Sequence, residues 1–248
     1  DFSGDNSVSH ALEYYVADNA LALLSDKLAQ EATSSAQKAE YQKYAKEYRK
    51  RSKGWRHYYS KESGTLRPLN SNGTFLSPFN PKEGADFSNT PGFHEGSAWN
   101  YTFYVPHDIE GLAKAMGGSK AFVAKLQKVF DEGLYDPANE PDIAYPFLFS
   151  RFKGEEYRTA NTVETLLKKY YSTRADGIPG NDDTGAMSAW AVFSMMGLYP
   201  DGPGEPKYTL FPPVFDSVEI NGKYVIRKEQ KIKKHRITHQ EFVRDYAK

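Results

Sequence analysis

Apolar residues recur at helical spacing over residues 7–29, at Val8, Ala11, Leu12, Tyr15, Val16, Leu23 and Leu28. Side chains three and four positions apart share one face of a helix, so this stretch predicts an amphipathic helix that Asn6 or Ser7 can cap. A second helix is predicted over residues 34–53, with Tyr41, Tyr44 and Tyr48 on one stripe and Gly54 as its stop. Periodicity then vanishes over residues 55–96, where Gly, Pro, Asn and Ser punctuate the chain. A loop of that length inside a compact domain is usually functional or disordered, and its aromatic residues favour an ordered, functional one.

Residues 99–105 suit either a strand, by their Tyr, Thr, Phe and Val, or a buried helical turn ended by Pro106. Residues 109–130 read as two helices broken at Gly117-Gly118, with further helices near 143–149, 157–171 and 184–196. The character changes after Gly197 and Pro200. Short β-like runs follow at 208–211, 217–220 and 223–226, around an Asn221-Gly222 hairpin signal. The fold class is therefore mainly α, with paired helices and long connecting loops that suit a toroid of helical hairpins, and a short β-rich C-terminal tail. Residues 1–200 form the helical part and residues 201–248 the β-containing segment.

Charge narrows the partners. Thirty-two basic residues balance thirty-two acidic ones. A surface without a net sign gives no general attraction to nucleic acid or anionic lipid, and no apolar run is long enough to span a bilayer. Neither nucleic acid nor membrane is expected as a partner. The lysines between Lys223 and Lys234 read as a solvated face rather than a binding patch. With no cysteine, disulfides, thiolate metal sites and a cysteine nucleophile are excluded. Aromatic residues reach 15%, including 18 Tyr and 15 Phe, and flat rings with a polar edge suit sugars as well as a large core.

Two acidic clusters stand in loops. In Phe93-His94-Glu95-Gly96-Ser97-Ala98-Trp99, Glu95 lies between aromatics where a loop enters an element. Partly desolvated there, its carboxyl would hold its proton at higher pH and could serve as a general acid; alternatively it occupies the first turn of a helix and satisfies free N–H groups. In Gly180-Asn181-Asp182-Asp183-Thr184-Gly185, two adjacent carboxylates and an amide are oxygen ligands of the kind calcium prefers, although the spacing is not that of an EF-hand. Asp183 or Thr184 as N-cap accounts for one residue of this run and leaves the neighbouring Asp unexplained. Asn139-Glu140-Pro141-Asp142 is a weaker third cluster, and an ordinary helix start explains it. His235 and His239 have helical metal-ligand spacing, but their surroundings favour no metal. Two carboxyl clusters on a helical frame fit glycoside hydrolysis, and equally a sugar-binding surface without catalysis.

The run from Gly180 to Trp190, followed by Gly197-Leu198-Tyr199-Pro200, resembles the signature of glycoside hydrolase family 92. Glu95 to Tyr101, with Val105-Pro106-His107-Asp108, is similar to a second block of that family. Arg67-Pro68, Pro78-Phe79, Asn139-Glu140-Pro141 and Phe215-Asp216-Ser217-Val218 follow in the family's order. The resemblance implies calcium-dependent, inverting exo-α-mannosidase chemistry on an (α/α)6 barrel, of which this chain is a part, paired with an N-terminal β-sandwich absent from it. It implies Glu95 as general acid, Asp183 as general base with Asp182 in reserve, and Asn181 and Asp183 as ligands of Ca2+. Trp99, Tyr101, His107, Asp108, Asn139, Glu140 and Arg67 would bind a mannose-containing glycan, whose terminal α-mannosidic bond, expected to be α-1,2-linked, is hydrolysed. Departures occur at Leu134-Tyr135-Asp136-Pro137 and after Pro141, where the family's histidines are missing. A secreted or periplasmic location is expected, and the isolated chain is expected to be inactive. The rival readings are a non-catalytic carbohydrate-binding fragment and another inverting (α/α)6 α-glycosidase.

Overall fold

The computed structural model describes residues 6–85, 88 and 90–248. They form two compact units, one of residues up to Tyr135 with Gly202–Glu205, the other of Asp136–Asp201 with Pro206–Lys248. From Pro206 onward the β-rich tail packs within the second unit, together with the last helices before it.

In the first unit α1 (Ser7–Glu31) and α2 (Ser35–Arg51) form a helical hairpin. Of the expected stripe, α1 buries Val8, Leu12 and Val16, while in its second half Ala22 and Ala29 are buried and Leu23 and Leu28 are half-buried. Helix α2 buries only Ala45 and is joined to α1 by Arg51–Asp18 (3.1 Å) and Arg49–Asp26 ion pairs. Burial raises the Asp18 carboxyl above the usual range, while Arg51 pulls it back. After the 3-10 turn Gly54–His57 the long loop is ordered by a hairpin of β1 (Tyr59–Ser60) and β2 (Thr65–Leu66). The ambiguous 99–105 stretch is helical: α3 (Ala98–Thr102) starts at a capping box in which Ser97 and Asn100 satisfy each other's backbone N–H groups. Helices α4 (Ile109–Ala115) and α5 (Ser119–Asp131) part at Gly117-Gly118, whose φ values of 100° and 110° only glycine adopts readily.

In the second unit the segment expected as a helix near 143–149 is a 3-10 helix, Tyr145–Arg151, with Pro146 in its first turn, where a backbone N–H would have no partner within the helix. Helix α6 (Glu156–Tyr170) is as expected. Helix α7 (Ala186–Met196) starts two residues later than read, after a separate 3-10 turn, Asp183–Gly185. Strands β3 (Leu198–Gly202), β4 (Glu205–Leu210) and β7 (Arg236–Thr238) make an antiparallel sheet in the order β3-β4-β7. Strands β5 (Ser217–Ile220) and β6 (Tyr224–Arg227) pair across Asn221-Gly222, both left-handed at φ 52° and 65°. Helix α8 (His239–Asp245) packs Phe242 and Tyr246 against Leu198, Leu210, Ile226 and Ile237. Strand β3 and helix α8 were not legible in the apolar pattern, although Thr238 and Glu241 make a capping box whose Thr-x-x-Glu spacing is a helix-start signal.

Candidate active site

Ser97 and Asn100 cap α3, so Glu95 is not in the first turn of a helix. It sits two residues before the cap, in a loop fastened from several sides. The carbonyl of Gly92 accepts from the N–H groups of Val8 (2.9 Å) and Ser9 (3.0 Å) at the start of α1. The N–H of His94 donates to the Ser9 hydroxyl (3.2 Å), and the Tyr101 hydroxyl donates to the carbonyl of His94 (2.7 Å). Between buried Phe93 and buried Gly96, Glu95 has φ 49°. A non-glycine residue pays for that conformation, about 1–3 kcal/mol, and such residues cluster at functional sites. The left-handed turn carries the side chain outward: it is 61% exposed, with Nε2 of His94 3.7 Å from Oε1. The partly desolvated carboxyl expected from its aromatic neighbours is therefore not found within this chain; Phe93 and Trp99 turn inward and Glu95 turns out.

The neighbouring candidates are framework. Trp99 is 5% exposed, with Nζ of Lys125 4.3 Å and Nζ of Lys128 5.6 Å from its ring centroid. Burial, then the charge of Lys128, brings the Lys125 amine down to about 8. Tyr101 packs on Phe93, ring centroids 5.7 Å apart. Arg67 is buried, donating from Nε to the carbonyl of Leu76 (2.8 Å) and from Nη1 to Glu62 (2.9 Å), with its guanidinium near the rings of Phe75 and Phe79. It holds the long loop in shape. Nε2 of His107 lies 2.8 Å from the carbonyl of Ser52, an acceptor, so that nitrogen carries a proton. Burial lowers the pKa of His107, which keeps it neutral. Asp108 accepts from the indole N–H of Trp55 (3.1 Å) and pairs with Arg56 (2.7 Å).

In the second unit the turn 180–185 divides its labour. Asp182 accepts from the Ser188 N–H (2.8 Å, Oδ1) and the Ser188 hydroxyl (2.6 Å, Oδ2). It is thus the acid that satisfies the N-terminal turn of α7, and those bonds lower its pKa. Neither Asp183 nor Thr184 caps that helix. Both are exposed and left-handed, φ 30° and 58°. The second cluster lies alongside. A Cβ on Gly180 would stand 2.6 Å from the Cβ of Ala138, so the bare glycine lets this turn approach the Asn139–Glu140 turn. The indole of Trp190 donates to the carbonyl of Ile143 (2.7 Å) and stacks on Tyr171 at 5.3 Å and 10°. Asn139 is buried, Glu140 exposed, and Asp142 accepts from the Asp136 N–H (2.8 Å). Tyr171, whose phenol burial and Asp182 push up to about 12, was not singled out in the sequence; nothing in its spacing marks a ring stacked on Trp190. His235 and His239 hydrogen-bond separately, to the carbonyl of Leu210 and the hydroxyl of Tyr208.

Among the described residues no three His, Asp or Glu side chains gather as metal ligands. The amide of Asn181 and carboxylate of Asp183 are hard oxygen donors, which suit calcium in kind, and they supply only part of its usual six to eight oxygens. No helix among the described residues is long and apolar enough to cross a membrane.

Residues 1–247 match the glycosyl hydrolase family 92 catalytic domain. An uncharacterized secreted glycosidase of Arthroderma benhamiae is 37% identical over 133 residues, which are 54% of this chain and 17% of that protein. Among solved structures, a family 92 α-mannosidase of Bacteroides thetaiotaomicron superposes with a TM-score of 0.78 at 24% identity, over 95% of this chain and 33% of that one. A family 92 inverting mannosidase of the same bacterium gives 0.77 at 24%, over 95% and 36%. The first of these in complex with mannoimidazole gives 0.73 at 22%, over 90% and 34%. The chain spans about a third of the length of these solved relatives, and its mainly helical fold with a small antiparallel sheet is theirs.

Proposed function

Because the chain belongs to glycosyl hydrolase family 92, we propose that the protein hydrolyses terminal α-mannosidic bonds of glycans with inversion at the anomeric carbon. One observation carries this reading: Glu95 and Asp183, a carboxylate from each long motif block, are both exposed on strained left-handed backbone, and neither caps a helix. The solved relatives whose names describe them as mannosidases support the substrate class.

In this mechanism the Glu95 carboxyl gives its proton to the glycosidic oxygen as the bond to C1 breaks. Asp183 takes a proton from the water that attacks C1 from the opposite face. A water between base and sugar requires the two carboxyl groups to stand about 6.5–9.5 Å apart in the working enzyme. Asp182, held ionised by Ser188, positions the start of α7 and is the reserve for the base. Asn139 and Glu140, on the turn beside that of Asp183, would bind the sugar, and Trp99, Tyr101, His107, Asp108 and Arg67 hold the loops of the first unit in shape. Asn181 and Asp183 would hold calcium, which supplies a hard cation for sugar hydroxyls when bound. The hairpins α1–α2 and α4–α5 belong to an (α/α)6 barrel. The protein is secreted, as the name of the Arthroderma relative suggests.

The test is hydrolysis of an aryl α-mannoside by the full-length protein, followed by NMR. β-Mannose as the first product and loss of turnover in Asp183→Asn support the reading. First release of α-mannose, or full activity in Asp183→Asn, contradicts it; sugar binding without turnover favours the non-catalytic module.

A further inference from the structure

A cleft of about 720 Å³ opens in the first unit between the β1–β2 hairpin and the end of α4, well within the size of small-molecule sites, about 300–1,000 Å³. Arg56, Lys61 and Lys114 line it, with Tyr59, and no carboxylate is among its lining residues. In a chain whose charges balance overall, this is a local excess of one sign.

Arg56 is fixed in place before any ligand arrives. Its Nη2 pairs with Oδ2 of Asp108 at 2.7 Å, and its guanidinium lies 4.8 Å from the ring centroid of Trp55. Trp55 is itself fully buried and donates its indole N–H to the same carboxylate oxygen. Gly111 makes this packing available: a Cβ there would stand 2.3 Å from Oδ1 of Asp108 and 2.6 Å from Nη2 of Arg56. With its side chain 42% exposed, Arg56 keeps further N–H donors for a ligand. Among the described residues Lys61 and Lys114 are engaged in no ion pair, and both are exposed. Burial raises the phenol of Tyr59, which leaves it a neutral O–H donor at the rim.

Three cations against the single carboxylate of Asp108 leave about two positive charges facing the cleft. A carboxylate would neutralise one of them. A phosphate monoester carries close to two negative charges at neutral pH, with three acceptor oxygens suited to a guanidinium fork. We propose that this cleft binds a phosphate group, carried by a sugar as its monoester or free as inorganic phosphate. The inference does not rest on the roles of Glu95 and Asp183.

The experiment is calorimetric titration of the full-length protein with inorganic phosphate, a hexose 6-phosphate and the unmodified hexose. Saturable binding of the phosphorylated probes but not of the bare hexose is expected. Affinity should rise between about pH 5 and 7, as the second phosphate proton with pKa near 6 leaves, and a hexose sulfate should show no such rise. Lys61→Ala/Lys114→Ala should weaken binding about tenfold, each exposed cation contributing a few-fold, with an unchanged melting temperature. Tighter binding of hexose phosphate than of phosphate assigns the site to a phosphorylated sugar, and equal affinity assigns it to the free ion; both support the proposal. Absence of saturable binding at about 10 mM probe, or wild-type affinity in the double variant, overturns it. If the alanine variant melts earlier, Lys61→Gln/Lys114→Gln, which keeps the stems, decides in its place.

Discussion

Gly180 offers the sharpest test of what positions the Asp183 turn. Its φ is not in the left-handed region, so alanine at this position meets no backbone strain. The obstacle is contact alone: the new Cβ would stand 2.6 Å from the Cβ of Ala138, where carbon atoms rest at about 3.5–4.0 Å. Neither atom belongs to a flexible side chain, so the two turns must part by about 1 Å. Overpacking of this kind costs about 1–3 kcal/mol of stability. The larger effect is on catalysis, because a displacement of about 1 Å in a positioned catalytic group lowers the rate about a hundredfold. Gly180→Ala in the full-length protein should therefore lose about two orders of magnitude in kcat/KM on an aryl α-mannoside. Ala138→Gly in the same protein removes the opposing methyl group and should restore most of that loss. Unimpaired activity in the single variant, or no recovery in the double variant, would refute the argument that this contact sets the position of Asp183.

Glu95→Gln should lose about 10²–10⁴-fold on mannosides with poor leaving groups and far less on an activated aryl mannoside, which departs without a proton; equal losses on both would remove Glu95 as the acid. Exhaustive chelation should abolish turnover and calcium should restore it, whereas activity that survives chelation excludes the metal. Asp201 is 2% exposed in its side chain, pairs with Arg236 and Arg151 and accepts from Thr209 (2.7 Å), so Asp201→Ala removes the buried carboxylate that these three groups share and should cost about 3–5 kcal/mol, a fall in Tm of order 10 °C. A shift under about 2 °C would show the cluster to be dispensable. His107 is neutral in the fold with a lowered pKa, so its contribution is full above the unfolded value near 6.5 and is lost as pH falls through the folded one. Tm should drop as pH falls below about 6.5, and less steeply in His107→Gln; identical slopes would exclude His107 as the titrating group.

The amino-acid sequence by itself determined the long periodic helices α1, α2, α5 and α6, because three-to-four spacing of apolar residues and glycine stops act locally. It also determined the Asn221-Gly222 hairpin, the mainly helical class with a β-rich tail, and, through two long motif blocks, the family. It left open whether residues 99–105 are strand or helix, since a short run of aromatic and β-branched residues suits either, and the Ser97–Asn100 cap decided the matter. Roles within the motifs were also beyond it. Adjacent Asp182 and Asp183 are chemically identical in sequence, and only the folded turn gives one to Ser188 and leaves the other exposed. Aromatic neighbours of Glu95 suggested a desolvated carboxyl, yet a φ of 49° turns it outward while the rings go in. Side-chain direction at such a residue depends on backbone conformation held by contacts as distant as Ser9 and Tyr101, and no local spacing encodes those contacts.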